Sequence, residues 1–263
     1  MAARPTPSAV ADPDAAMPDV DLGASTLLLD FDGTLVDIAE TPDGVLVDAG
    51  LPDLLARLSD ATGGRIALVS GRAVADVGGF LPDFDGLIIG GHGAERREDG
   101  HVRRHPAADS PALPEIVEAA EGFAAGRDGL IVERKPTGIV VHYRRRPDAA
   151  EGVLAFVAGL AELHDGFELH EAKMAAELRP EGIGKDAAIA DLMSEPRFAG
   201  TIPIFFGDDA TDEPALVWVA EAGGVAVKVG EGESAAPLRL ADPAAVRALL
   251  DHWTGGNREW PAG

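Results

Sequence analysis

The sequence predicts an α/β fold: a parallel sheet with helices on both faces, interrupted by a smaller α+β insertion. Three observations predict it. Short apolar runs at Thr26 to Asp30, Arg65 to Ser70 and Gly86 to Gly90 read as buried strands, and Leu51, Leu54, Leu55 and Leu58 between the first two follow helical spacing. The same rhythm returns near the C-terminal end, with a helix at Lys185 to Met193, a strand at Ile202 to Phe206, a helix from Glu213 and a strand at Val225 to Val229. Between the two stretches, about His105 to Glu177, the rhythm breaks.

Within the insertion, a helical stretch near Pro114 to Ala124 precedes two short runs, Leu130 to Lys135 and Gly138 to Arg144. Pro136-Thr137 separates them, so they read as a hairpin. Asp148 is placed to cap a helix running through Leu163, and further strands are expected at Phe167 to His170 and Lys173 to Leu178. In the second half of the main body, Pro214 suits a first helical turn, and Asp242-Pro243 opens a last helix with Val246, Leu249 and Leu250 on one face. The resulting boundaries are a disordered tail over 1–24, a core from 25–106 and 179–254, the insertion at 107–178 and a loose tail over 255–263.

Charge and composition exclude several functions. The 263 residues carry 45 acidic against 22 basic side chains, a net charge of -23, so neither nucleic acid nor an anionic membrane surface is an expected partner. Cysteine is absent, which removes disulfides, thiolate metal sites and a cysteine nucleophile. The first 23 residues lack the basic start and apolar run of a signal peptide, and no apolar stretch is long enough to span a bilayer. A cytoplasmic monomer acting on a small molecule is the expectation. An anionic substrate has to be drawn in by local cations, and the chain has only four lysines, which singles out Lys135, Lys173, Lys185 and Lys228.

The chemistry centres on Asp30-Phe31-Asp32-Gly33-Thr34, where a buried strand runs into two carboxylates on a turn. Both can approach one Mg²⁺, and Gly33 lets backbone N–H groups come near an anion. One carboxylate can attack phosphorus while the other moves a proton. Ser70 ends the second strand ahead of Gly71-Arg72, Lys185 follows Arg179-Pro180, and Gly207-Asp208-Asp209-Ala210-Thr211-Asp212-Glu213 ends a later strand. Ligands of such sheets collect at the carboxyl ends of strands, where Asp30, Ser70 and Asp208 fall.

These four signals, in this order, resemble the haloacid dehalogenase superfamily of phosphatases. The resemblance implies a Rossmann-like parallel-sheet core with an inserted α+β cap. It makes Asp30 the nucleophile that forms an aspartyl phosphate and Asp32 the group that protonates the leaving oxygen and then takes a proton from water. Asp30, Asp208 and the main-chain carbonyl of Asp32 would hold Mg²⁺, Ser70 and Lys185 would bind phosphate, and Asp209 and Asp212 would act behind them, orienting water or holding Lys185.

A narrower resemblance, to trehalose-6-phosphate phosphatases, rests on Gly91-His92-Gly93-Ala94-Glu95, Glu133-Arg134-Lys135 with Val141-His142-Tyr143-Arg144, Glu177-Leu178-Arg179-Pro180 and the acidic stretch at 207–213. It implies that Glu133, Lys135 and Glu177 grip the hydroxyls of the distal glucose, with His92 and Arg144 as further contacts. The expected reaction is hydrolysis of trehalose 6-phosphate. Alternatives are a sucrose or glucosylglycerol phosphate, a phosphomutase, or a sensor that binds a sugar phosphate without turning it over. Asp186, where the family commonly has glycine, and Pro214 depart from the pattern without removing a catalytic atom.

Overall fold

The computed structural model describes residues 17–39, 41, 44–172 and 174–255. Its contacts divide the chain into two compact units, the inserted one spanning Arg103–Ile183 and the other formed by the chain on either side, up to Val102 and from Gly184. In chain order the elements begin with β1 (Ser25–Leu29), α1 (Leu51–Ala61), β2 (Ile66–Val69), α2 (Val74–Phe80), β3 (Leu87–Gly90), β4 (Glu95–Glu98) and β5 (His101–Arg104). The inserted unit holds α3 (Ala112–Ala124), β6 (Ile131–Arg134), β7 (Ile139–His142), α4 (Ala150–Leu163), β8 (Phe167–Ala172) and β9 (Ala175–Pro180). The chain then continues through α5 (Lys185–Ser194), β10 (Ile202–Gly207), α6 (Glu213–Glu221), β11 (Val225–Val229), β12 (Leu238–Leu240) and α7 (Pro243–Trp253).

Eight strands form one sheet in the order β12-β11-β10-β1-β2-β3-β4-β5. From β12 to β3 the pairing is parallel, and β1, buried at every residue, lies between β10 and β2. A strand covered on both faces reads as an unbroken apolar run, and successive side chains of β1 do go to opposite cores. Leu27 and Leu29 pack with α1, α2 and α7, whereas Leu28 packs with Ile189 and Leu192 of α5 and Leu216 and Val219 of α6. The chain steps outward from β1 to β2 and β3, then returns on the other side of β1 as β10. That reversal opens a crevice beyond the strand ends between β1 and β10, the usual place for a ligand in such sheets.

The β4–β5 hairpin adds an antiparallel edge to a sheet expected to be parallel throughout. Its turn, Asp99-Gly100, has φ of 49° and 75°, the left-handed pair that suits a tight hairpin. Residues 17–24, expected within a disordered tail, are ordered instead: Leu22 is buried in the α1 core, and Asp21 caps a short turn by accepting from Gly23 N at 2.9 Å. The rest of that tail, the C-terminal stretch beyond 255 and Lys173 lie outside the described residues.

In the inserted unit, four antiparallel strands run in the order β6-β7-β9-β8. One face of that sheet buries Ile139, Val141, Ala176 and Leu178 against Ile116 of α3 and Val153 and Val157 of α4. Asp148 does not cap α4 as expected. It pairs with Arg146 at 3.0 Å, and Ala149, which has no capping side chain, occupies the N-cap position after a turn of 3-10 helix. Among the described residues no helix is long and apolar enough to cross a membrane.

Candidate active site

Asp30 leaves the end of β1, its N–H held by Phe206 O at 3.0 Å, and its side chain is buried. The next turn closes tightly, with Leu35 N and Val36 N both donating to Phe31 O and Gly33 N to Val36 O. Gly33 sits at φ 72°, and a Cβ there would lie 2.0 Å from Asp208 Oδ2. Glycine is therefore required twice, for the left-handed backbone and for the approach of the Asp208 carboxylate.

Lys185, the first residue of α5, enters this crevice almost fully buried. Its ammonium donates to Asp30 Oδ1 and to Asp212 Oδ1, each at 2.6 Å. Asp212 stands at the N-cap position of α6, yet its side chain serves neighbouring loops: Oδ2 accepts from Asp208 N at 3.0 Å and Asp209 N at 3.1 Å. Both Asp212 oxygens are thus committed. Asp30 Oδ1 is held by Lys185, and Oδ2 has a 3.4 Å contact from the Thr34 hydroxyl.

Carboxylate oxygens of Asp30, Asp208 and Asp212 lie within 4.8 Å of one another around a single ammonium. Burial raises Asp30 to about 7, against the opposing pull of Lys185, and raises Asp208 to about 6, with Asp209 and Asp212 adding to the shift. Asp212 is also raised, by burial and then by the charge of Asp30, while Lys185 is held firmly in its charged form by the two aspartates despite burial. Such an excess of buried negative charge calls for a cation. The donors are hard oxygens, so the set fits Mg²⁺ and not a thiolate-loving metal.

Asp32 is not aimed at this cluster. Arg72 grips its carboxylate in a two-pronged pair, Nε to Oδ2 at 2.5 Å and Nη2 to Oδ1 at 2.7 Å. Ser70 is buried at the end of β2, and its Oγ accepts from Arg72 N at 3.1 Å. Asp209 turns back on its own loop, accepting from Thr211 N at 2.8 Å and Thr211 Oγ1 at 2.7 Å.

On the inserted unit, Glu133, Val140, Glu177 and His170 lie in register across β6, β7, β9 and β8, and so share the sheet face opposite the helices. Lys135 Nζ lies 2.5 Å and His142 Nε2 2.8 Å from the two oxygens of Glu133. The hydrogen bond from His142, then that from Lys135, draws the Glu133 carboxyl down to about 2.

Sequence reasoning passed over four positioning residues. Arg72 was noted only as following Ser70-Gly71. Lys228, singled out as one of few cations, is buried, and its ammonium donates to the main-chain carbonyls of Asp208 and Val229. Glu95, quoted as part of a motif, accepts from Val74 N at 3.1 Å and so caps α2 from β4, because Ala73 at the N-cap position has no side chain to do it. His142 steadies Glu133. Two quoted motifs, Gly91-His92-Gly93-Ala94-Glu95 and Val141-His142-Tyr143-Arg144, carried signals that could have found Glu95 and His142.

A family model described as trehalose-phosphatase matches residues 28–244. The probable trehalose-phosphate phosphatase of Sinorhizobium fredii is 36% identical over 212 residues, 80% of this chain and 79% of that protein. Trehalose-6-phosphate phosphatase of Escherichia coli is 33% identical over 215 residues, 81% of this chain and 80% of that one. A solved trehalose-6-phosphate phosphatase related protein superposes with a TM-score of 0.69 at 30% identity, covering 88% of this chain and 97% of its own. The C-terminal domain of the Candida albicans trehalose-6-phosphate phosphatase shares the fold, with a TM-score of 0.74 at 22% identity over 90% of this chain and 95% of that one.

Proposed function

The chain belongs to the trehalose-phosphatase family, and from that membership we propose that it hydrolyses trehalose 6-phosphate to trehalose and inorganic phosphate, the last step of trehalose biosynthesis. The observation that carries the chemistry is the gathering of Asp30, Asp208 and Lys185 in the crevice beside β1. Asp30 is the nucleophile. With Oδ1 held by Lys185, Oδ2 attacks phosphorus, the P–O bond of an aspartyl phosphate forms, and the ester bond breaks. The sugar oxygen leaves with a proton from Asp32. Water then attacks phosphorus and gives its proton to Asp32, which releases phosphate and restores the Asp30 carboxylate.

Ser70 and the N–H groups of its turn receive the phosphoryl oxygens, and Lys185 offsets their charge. Asp30 and Asp208, through carboxylates, and Asp32, through its main-chain carbonyl, are the residues for Mg²⁺. When bound, the ion neutralises the phosphoryl oxygens and the excess carboxylate charge. Asp212 holds Lys185, and Asp209 shapes its loop. The grip on the distal glucose is assigned to Glu133, Lys135 and Glu177, whose carboxylates and ammonium match paired sugar hydroxyls.

Phosphate release from a panel of sugar phosphates, with Mg²⁺ and with EDTA, tests this reading, using Asp30→Asn protein as the blank. A Mg²⁺-dependent preference for trehalose 6-phosphate is expected, absent in the blank. Equal rates on sucrose phosphate and simple hexose phosphates would keep the phosphatase and remove the substrate.

A further inference from the structure

We propose that Arg72 is a positioning residue that holds Asp32 where it hands a proton to the leaving sugar oxygen. The inference rests on the reading of Asp32 given above and extends it. A free aspartate on a turn has several rotamers, whereas a carboxylate held at both oxygens by a planar guanidinium has one. The pair is not sealed off: the Asp32 side chain keeps 32% of its exposure and Arg72 16%, so a leaving group can still reach the carboxylate.

Everything around Arg72 fixes it in turn. Its guanidinium lies over the Phe80 ring at 5.2 Å, and Phe80 stacks on Phe31, the residue between the two site aspartates. Its N–H is bonded to Ser70 Oγ, and its carbonyl accepts from Gly91 N at 2.8 Å. The same loop braces the turn from behind, since His92 N donates to Ser70 O at 3.0 Å and the His92 ring fills the space where a Cβ on Gly71 would stand. His92 adopts φ 57° to do so, a conformation uncommon outside glycine. Glu95 then caps α2 two residues beyond Arg72. The turn is held from the β3–β4 side, and the arginine it presents grips Asp32 with two N–H groups.

The arrangement predicts an effect that depends on the leaving group. A sugar alkoxide must be protonated as it departs, whereas p-nitrophenolate leaves without help. In single-turnover measurements of leaving-group release, which leave out the hydrolysis step that both esters share, Arg72→Ala should slow trehalose release by about 100-fold, within the range of general acid catalysis, and change p-nitrophenolate release by no more than about threefold. Arg72→Lys keeps the charge and loses the fork, so only part of the loss should be recovered. Phe80→Leu, which removes the seat and leaves the arginine, should give a smaller loss with the same selectivity.

In an Asp32→Asn background, Arg72→Lys should cost nothing further on either substrate. Equal losses on both esters, a raised KM for both, or a full Arg72 effect in the Asp32→Asn background would each overturn the proposal. If wild-type protein hydrolyses the aryl ester and another alkyl phosphate but not the disaccharide ester, the substrate reading fails, and the same comparison on that alkyl phosphate decides the role of Arg72. Wild-type protein that hydrolyses no ester would overturn both readings.

Discussion

Lys185 is the residue on which the site's electrostatics turn, because one ammonium faces the carboxylates of Asp30 and Asp212 in a buried place. Lys185→Met keeps the volume and removes the charge. It should cost about 3–5 kcal/mol, the range for stranding a buried charge. Asp30 and Asp212 can relieve the strain by protonation, so urea unfolding should show a larger loss at pH 8 than at pH 5; equal losses would mean that the pair is not the source. Gly33 makes a second test at this scale. Gly33→Ala places a methyl against Asp208 in a left-handed backbone, and should cost about 1–2 kcal/mol for the backbone alone. Activity should fall further than stability does, as a steady-state assay beside a thermal melt would show.

At the scale of elements, α2 lacks a cap from its own sequence and takes one from β4 through Glu95. Glu95→Ala should destabilise by about 1 kcal/mol, the usual value of a lost N-cap, and should also lower turnover, because the turn that carries Ser70 and Arg72 loses its brace. Full activity with lowered stability would separate the cap from the site. This link shows why some elements were legible and others not. Buried parallel strands such as β1 and β10 announce themselves as apolar runs, and α1 and α7 by spacing on one face. By contrast, α2 contains Gly78-Gly79, and β4 and β5 carry mostly charged residues, so neither shows the apolar period expected of it. The site followed the same division. Asp30, Lys185 and Asp208 stand at strand or helix ends that the sequence marks, whereas the Arg72–Asp32 pair joins residues 40 positions apart and has no local pattern. Asp148 misled because a cap residue and an ion-pair partner look alike in sequence.

For the whole molecule, the raised carboxyls tie folding to pH. Asp30, raised to about 7, and Asp208, raised to about 6, bind protons more tightly folded than unfolded, where a carboxyl titrates near about 4. Their contribution to stability is therefore fully present below about pH 4 and is lost as pH rises through about 6 to 7. Mg²⁺ should offset that loss. Melting temperatures with and without Mg²⁺ are expected to diverge steadily from pH 5 to pH 8, and a constant gap would show that these groups do not titrate in the metal-free protein. A subtler consequence of crowding three carboxylates together, with one ammonium paired to two of them, is that cation uptake exchanges for hydrogen ions. Near neutral pH, titrating the metal-free protein in buffers of different ionisation enthalpy would give heats that differ in proportion to that enthalpy. The slope counts the protons expelled, turning the crevice beside β1 into a measurable ion exchanger.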